Sequence, residues 1–409
     1  ASRAARQAKD RPPLDIGVSV HFKRVYREPL WRMTDSEAYV AKLEEFDRES
    51  AALHEFRVRA IDDVRLRGAA ELLQRIDLAA PERGAGAWHF APYLRLLRGS
   101  VSERRALLER ERDNAHFRFW QQVARSVTRT IHPAESTALG VTCHGGEDSY
   151  TLLDGLQHLD LAISTWKLGP GDGLGHALVL GQAAQAFDFE SVRIPQGIEF
   201  DSMLWLKHFI ARERLAVSDE LFRELDAWVV ANARSLYGDS VGEDVFSSQL
   251  LTEKVVTAGD PLPSNRPEAL GDRLRWADVY EPEVMQRRAY SRRPAPLQND
   301  LQDVLAACQG RLREIVSERG IIVETNPSSN LRMLDLSRVQ DLPVLSILRD
   351  GQTPVRVTVC TDNPGLYATS VGAEYGILFA ALQGVPNAMG REQALELLEK
   401  CRRTGLEKV

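Results

Sequence analysis

The stretch Val141-Thr142-Cys143-His144-Gly145-Gly146-Glu147 constrains the fold more than any other part of the chain. So short an apolar run reads as a buried strand, and its ending in a histidine, two glycines and a glutamate places polar chemistry at the strand's end. The glycines permit a tight turn that swings Glu147 back over His144. In that arrangement a neutral imidazole binds a metal ion, while a carboxylate that is not a ligand moves protons to and from an activated water. The competing reading is a plain strand-to-helix turn in which Glu147 favours the helix dipole.

Three later stretches share this construction: Gly173-Leu174-Gly175-His176, Glu324-Thr325-Asn326-Pro327-Ser328-Ser329-Asn330, and Val357-Thr358-Val359-Cys360-Thr361-Asp362-Asn363-Pro364-Gly365. Strand patterns also cover Leu14–Phe22, followed by Lys23 and Arg24, and Leu72–Ala80. The strand that ends near His176 is supplied by either Leu161–Ile163 or Gly173–Leu178. Helical patterns run over Ser36–Ala60, Phe90–Leu97, Arg110–Val127, Ser149–Leu159, Gly372–Leu382 and Arg391–Thr404. Strands alternating with helices predict an α/β fold around a parallel sheet.

Between about Phe187 and Arg319 the pattern changes to long helical stretches, Phe200–Arg212, Ser218–Tyr237 and Leu297–Val316, with a Pro-rich piece among them. That is far longer than an ordinary connection between strand and helix, so residues 187–319 read as a helical insertion between barrel parts at 1–186 and 320–409. The apolar face Leu221, Leu225, Trp228, Val229 and Leu236 needs a cover, either within the chain or from a second subunit.

Composition narrows the partners. With 44% hydrophobic and 27% charged residues over 409 positions, the chain has the makeup of a globular protein with a sizeable core. A net charge of -6 argues against a general nucleic-acid or anionic-membrane surface and favours a small-molecule substrate. Cys143, Cys308, Cys360 and Cys401 lack metal-type spacing and suit reduced thiols in a cytoplasmic protein. No stretch is long and apolar enough to span a bilayer, and the basic start Ala1-Ser2-Arg3-Ala4-Ala5-Arg6 has no apolar region behind it. Without an initiator Met, it reads as an internal start.

The four strand-end motifs, in their order, resemble those of the adenosine deaminase family of metal-dependent hydrolases, which carries His-Ala-Gly-Glu, Gly-His-Gly, Glu-x-x-Pro-x-Ser-Asn and Thr-Asp-Asp-Pro. Arg75-Ile76-Asp77-Leu78-Ala79-Ala80-Pro81-Glu82 is similar to a fifth motif of the family, Gly-Ile-Asp-Leu-Ala-Gly-x-Glu. The resemblance implies a (β/α)8 TIM-type barrel, of which this chain holds about six of eight βα units. The family's first strand carries a His-x-His that supplies two metal ligands; here the nearest candidate, Ser19-Val20-His21, has serine at the first position. The chain is therefore expected to be the C-terminal part of a longer protein, with the first two strands upstream or on a separate fragment.

Carried over by position, the resemblance implies His144 and Asp362 as ligands of Zn²⁺, Glu147 as the proton shuttle, and His176 as the group that orients and polarises the attacking hydroxide. The reaction implied is hydrolytic deamination of a purine nucleoside or nucleotide. Asn363 stands where the family has the acidic residue that contacts purine N7, and its amide can still donate there. Ala80 replaces the glycine whose backbone NH meets the base, and Asp77 belongs to the same substrate-binding motif. Lys23 and Arg24 offer cations to a phosphate or are an ordinary solvated loop. Read singly, His176 is equally a hydrogen-bonded core histidine, Asp362 a turn cap, and Ser328-Ser329-Asn330 a helix cap.

The long insertion and missing first strands make the chain similar to the divergent adenosine deaminases of the bacterial antiphage system RADAR. That resemblance implies a large homo-oligomer, an ATPase partner and action on adenosine or ATP. Two other functions remain: a metal-dependent amidohydrolase for a different amine, and a weakly active or inactive barrel serving assembly or partner docking.

Overall fold

The computed structural model describes residues 18–23, 48–49, 52–53, 56, 63, 65, 72–79, 94, 98, 139–183, 194, 196–237, 298–385 and 387–407. Within them six strands form one sheet in chain order: β1 Val18–Lys23, β2 Leu73–Ala79, β3 Gly140–Gly145, β4 Gly173–His176, β5 Ile322–Thr325 and β6 Arg356–Val359. Every neighbouring pair is parallel. All six strands therefore end at the same edge, and β1 and β6 are the two outer strands among the described residues. The strand leading to His176 is Gly173–His176; Leu161–Ile163 lies instead inside the helix α1, Leu152–Thr165, whose fourteen residues continue the 3.6-residue apolar repeat past the expected end at Leu159.

The register separates two faces. Val20, Phe22, Ile76, Leu78, Val141, Cys143, Leu174, Val323, Val357 and Val359 alternate onto one side, and most of them are buried. The paired positions between them put Ser19, His21, Arg75, Asp77, Thr142, His144, Glu324 and Thr358 on the other. One face is apolar because helices cover it; the other carries charge.

The polar face is held by an ion pair that crosses two strands. Arg75 on β2 donates to Glu324 on β5 at 2.8 Å, and Thr142 on β3 donates to the other oxygen of Glu324 at 2.8 Å. The two long side chains lie over glycines: a Cβ at Gly140 would meet Arg75 at 3.1 Å, and one at Gly173 would come within 2.2 Å of Glu324 Oε1. A larger residue at Gly173 would displace the carboxylate.

Between β4 and β5 come α2 Gln196–Glu213, α3 Asp219–Tyr237 and α4 Gln298–Glu318. Helix α3 packs on α2, which packs on α1. Leu221, Leu225, Trp228 and Val229 are all buried, so that face of α3 finds its cover inside the chain; the side chain of Leu236 lies outside the described residues. Asp160 of α1 ties the layers, accepting from Trp205 Nε1 and from Arg212, both at 2.8 Å.

After β5 run α5 Pro327–Met333 and α6 Val344–Arg349; after β6 run α7 Pro364–Tyr367, α8 Val371–Gln383 and α9 Arg391–Leu406. The cysteines are free thiols, with Cys143 in β3, Cys360 just past β6, and Cys308 and Cys401 in helices. Burial holds Cys308 and Cys360 in the protonated form, each with its pKa raised to about 12. No helix among the described residues is long and apolar enough to cross a membrane. The expected helices at Ser36–Ala60, Phe90–Leu97 and Arg110–Val127 lie largely or wholly outside the described residues.

Candidate metal centre

The site gathers at the carboxyl edge of the sheet, where a parallel sheet collects the ends of its strands. His144 occupies the next-to-last position of β3, and its Nδ1 lies 3.0 Å from Glu147 Oε1. The turn between them depends on Gly146, which has φ +71° and whose Cβ, if present, would lie 2.2 Å from Val179 Cγ2. The predicted glycine turn is therefore real, and at Gly146 both backbone conformation and space require glycine.

The other oxygen of Glu147 lies 2.8 Å from His176 Nε2, at the end of β4. Glu147 thus bridges two imidazoles whose ring centroids are 5.1 Å apart. His144, Glu147 and His176 each place one ligand-type atom within 4.8 Å of the others.

His176 reaches this position through unusual backbone. It has φ +62° and Ala177 has φ +46°, two successive left-handed residues that are not glycine. The alternation of β4 would send His176 to the apolar side; this kink lets its ring join the polar centre. Its Nδ1 donates to Asn330 Oδ1 at 2.7 Å, and Asn326 Nδ2 lies 3.2 Å from Nε2. The ring is almost fully buried, so the reading of a hydrogen-bonded core histidine describes its packing but not its partners.

Asp362 follows β6 with φ +54°. Its Oδ2 accepts from Ser329 Oγ at 2.7 Å and lies 3.9 Å from His176 Nε2. It does not cap the next helix. Asn363 does, accepting from the Leu366 backbone NH at 3.1 Å, because its position one residue nearer puts its carbonyl over the first turn of α7. Ser328, Ser329 and Asn330 likewise fall within α5, whose N-cap is Asn326; the helical turn points Ser329 and Asn330 at the site instead of at the helix end.

Electrostatics set the charge of the bridge. Burial works to raise the pKa of Glu147, but hydrogen bonds and charge from His144 and His176 outweigh it and hold the carboxyl far below its usual range. Burial works to lower the pKa of His176, and the Glu147 hydrogen bond and charge, with help from Asn330 and Asp362, raise it.

The described residues therefore bring His144, Glu147, His176 and Asp362 together. Asn363 sits at the surface beside them with its amide oxygen engaged as the cap, leaving the NH₂ as donor. Asp77 lies on the same sheet face, paired in register with Thr142. Lys23 closes β1, while its side chain, Arg24 and Ala80 lie outside the described residues. Two participants were invisible as such in the sequence. Asn326 and Ser329 belong to a recognisable motif, yet only folding shows that they touch His176 and Asp362. His144, Glu147 and His176 offer imidazole and carboxylate donors that could hold a metal ion. No protein-family model matches the sequence, and no curated protein matches it.

Proposed function

We propose that this chain forms the catalytic edge of a zinc-dependent hydrolase that deaminates adenosine or an adenine nucleotide, the six parallel strands being part of a (β/α)8 barrel. The observation that carries the reading is Glu147 held between His144 and His176 at the carboxyl edge, with Asp362 beside them.

His144 and Asp362 would hold the metal, which when bound supplies the Lewis acidity that makes water a nucleophile near neutral pH. Ser329 fixes Oδ2 of Asp362, the oxygen that lies 3.9 Å from His176 Nε2. Glu147, ionised in its resting state, accepts a proton from the attacking water and delivers it to the ring nitrogen of the purine. The water oxygen bonds to C6, its remaining proton passes to the amino nitrogen, the bond from C6 to that nitrogen breaks, and ammonia leaves as the C6 oxygen becomes the product's carbonyl. His176, locked by Asn330, orients the attacking oxygen through Nε2. Asn363 offers its amide NH₂ to purine N7.

The test is ammonia release and inosine-product formation from adenosine, AMP and ATP by the intact protein with added Zn²⁺. Turnover that falls by at least about 10²-fold in Glu147→Gln at unchanged metal content is the expected result. Undiminished turnover in that variant, or none in the parent, sinks the reading.

A further inference from the structure

Gln309 stands near the middle of α4 with its side chain buried. Its Nε2 lies 2.6 Å from the carbonyl oxygen of Val179 and 2.7 Å from that of Gln182. Carbonyl oxygens only accept, so the NH₂ end of the amide is fixed there and both of its hydrogens are engaged. The segment it holds is the 3₁₀ turn Leu178–Leu180, which follows directly on the left-handed pair His176 and Ala177. The turn's own closing donors go elsewhere, the N–H groups of Gly181 and Gln182 both reaching Leu178 O.

Val179 is fully buried and stands between two glycines. Its Cγ2 fills the space into which a Cβ at Gly146 would project, and its Cγ1 fills that of a Cβ at Gly155 in α1. Gly146 is the left-handed residue that turns the chain from His144 to Glu147. The peptide held by Gln309 therefore presses on the Glu147 turn with its side chain and runs back into His176 through its backbone. Two of the three donors at the centre are aimed by this one segment, and its anchor lies 130 residues further along the chain.

We infer that Gln309 is a positioning residue for Glu147 and His176, holding the Val179 wedge against which their 2.8 Å contact is set. A residue that only filled space could be replaced by any apolar side chain of its length; one that donates to two carbonyls could not. The role concerns the geometry of the two side chains, and its effect on a bound metal rests on the reading proposed above.

The experiment compares the intact parent protein with Gln309→Met, which keeps the length of the side chain and removes both donors. The first readout is the nitrogen-15 spectrum of the histidine rings without added metal, the signals of His144 and His176 being assigned by substitution. Gln309→Met is expected to shift or broaden the His176 ring signals as its contact with Glu147 loosens. The second readout is the dissociation constant for Zn²⁺ by competition with a chelator, expected to rise roughly tenfold to a hundredfold. Val179→Ala, which keeps the two hydrogen bonds and removes the wedge, should reproduce both changes and add less than about twofold to the Zn²⁺ loss of Gln309→Met. It also decides the matter where Gln309→Met does not fold. Trp205→Phe breaks the buried bond to Asp160 away from the turn and should leave both readouts at the parent's values. Unmoved His176 signals in the two variants, or equal changes in Trp205→Phe, overturn the positioning role. Moved signals in a protein that binds no Zn²⁺ leave Gln309 in that role and overturn the zinc-dependent hydrolase instead.

Discussion

Asn330 Oδ1 accepts a 2.7 Å hydrogen bond from His176 Nδ1, joining helix α5 to the end of β4. Because this bond fixes the orientation of the ring, it aims Nε2 at Glu147. Asn330→Ala leaves a buried N–H without its acceptor and should destabilise the protein by about 1–3 kcal/mol. Denaturant unfolding of the metal-free protein measures this; a loss below a few tenths would show that the bond is dispensable.

The Glu147–His176 pair also predicts a pH profile for the metal-free protein. The pKa of Glu147 is lowered from its ordinary 4.5, so its contribution is complete above that value and fades as pH falls towards the folded pKa. His176 is raised from 6.5, so its contribution is complete below 6.5 and fades as pH rises through the folded pKa. The stability gap between parent and Glu147→Gln should therefore be widest between pH 4.5 and 6.5 and narrow on both sides. Melting curves across pH that show a constant gap would contradict it.

Glu374 is fully buried in α8 and accepts from the Ser328 backbone NH at 2.8 Å and from Ser328 Oγ and Thr369 Oγ1 at 2.5 Å each. It clamps the segments after β5 and β6 that carry Ser329, Asn330 and Asp362. Glu374→Gln, which keeps the shape but halves the accepting capacity, should weaken metal affinity roughly tenfold while the fold persists. Competition with a chelator gives the number, and an unchanged dissociation constant would confine Glu374 to a packing role.

Ala177 sits in left-handed backbone at φ +46° with its methyl buried. Ala177→Gly relieves about 1–2 kcal/mol of that conformation, against about 0.8 for the lost methyl and roughly 0.5–1 of chain entropy, so the change should be close to neutral. Ala162→Gly, inside α1 and equally buried, has no such relief and should cost about 1.5–2 kcal/mol. Equal losses at the two positions would remove strain from the account of His176.

Arg75→Met strands Glu324 in a setting where its carboxylate side chain is only 17% exposed. The single variant should lose about 3 kcal/mol, and Arg75→Met combined with Glu324→Leu should recover most of it. A double-mutant cycle by chemical denaturation reads the coupling; additive losses would mean that the pair does not act as a unit.

Much of the frame was legible because short-range rules fix it. Strand positions around Val141, Leu174, Val323 and Val357 follow from brief apolar runs bounded by Gly, Pro and Asn, and alternation with helices demands parallel pairing. The length of α1 and the split between Leu161–Ile163 and Gly173–His176 were harder, since three apolar residues fit either period.

The sequence by itself determined which residue types stand at each strand end, and that Gly146 must permit a turn bringing Glu147 back to His144. Those are local facts, settled within a few residues by backbone sterics. Only the tertiary structure decided that Glu147 also reaches His176, that Ser329 and Asn330 serve Asp362 and His176 instead of capping a helix, and that α3 is covered by its own chain. Such contacts join residues far apart in the chain, and their existence depends on register and helix rotation, which no local pattern encodes.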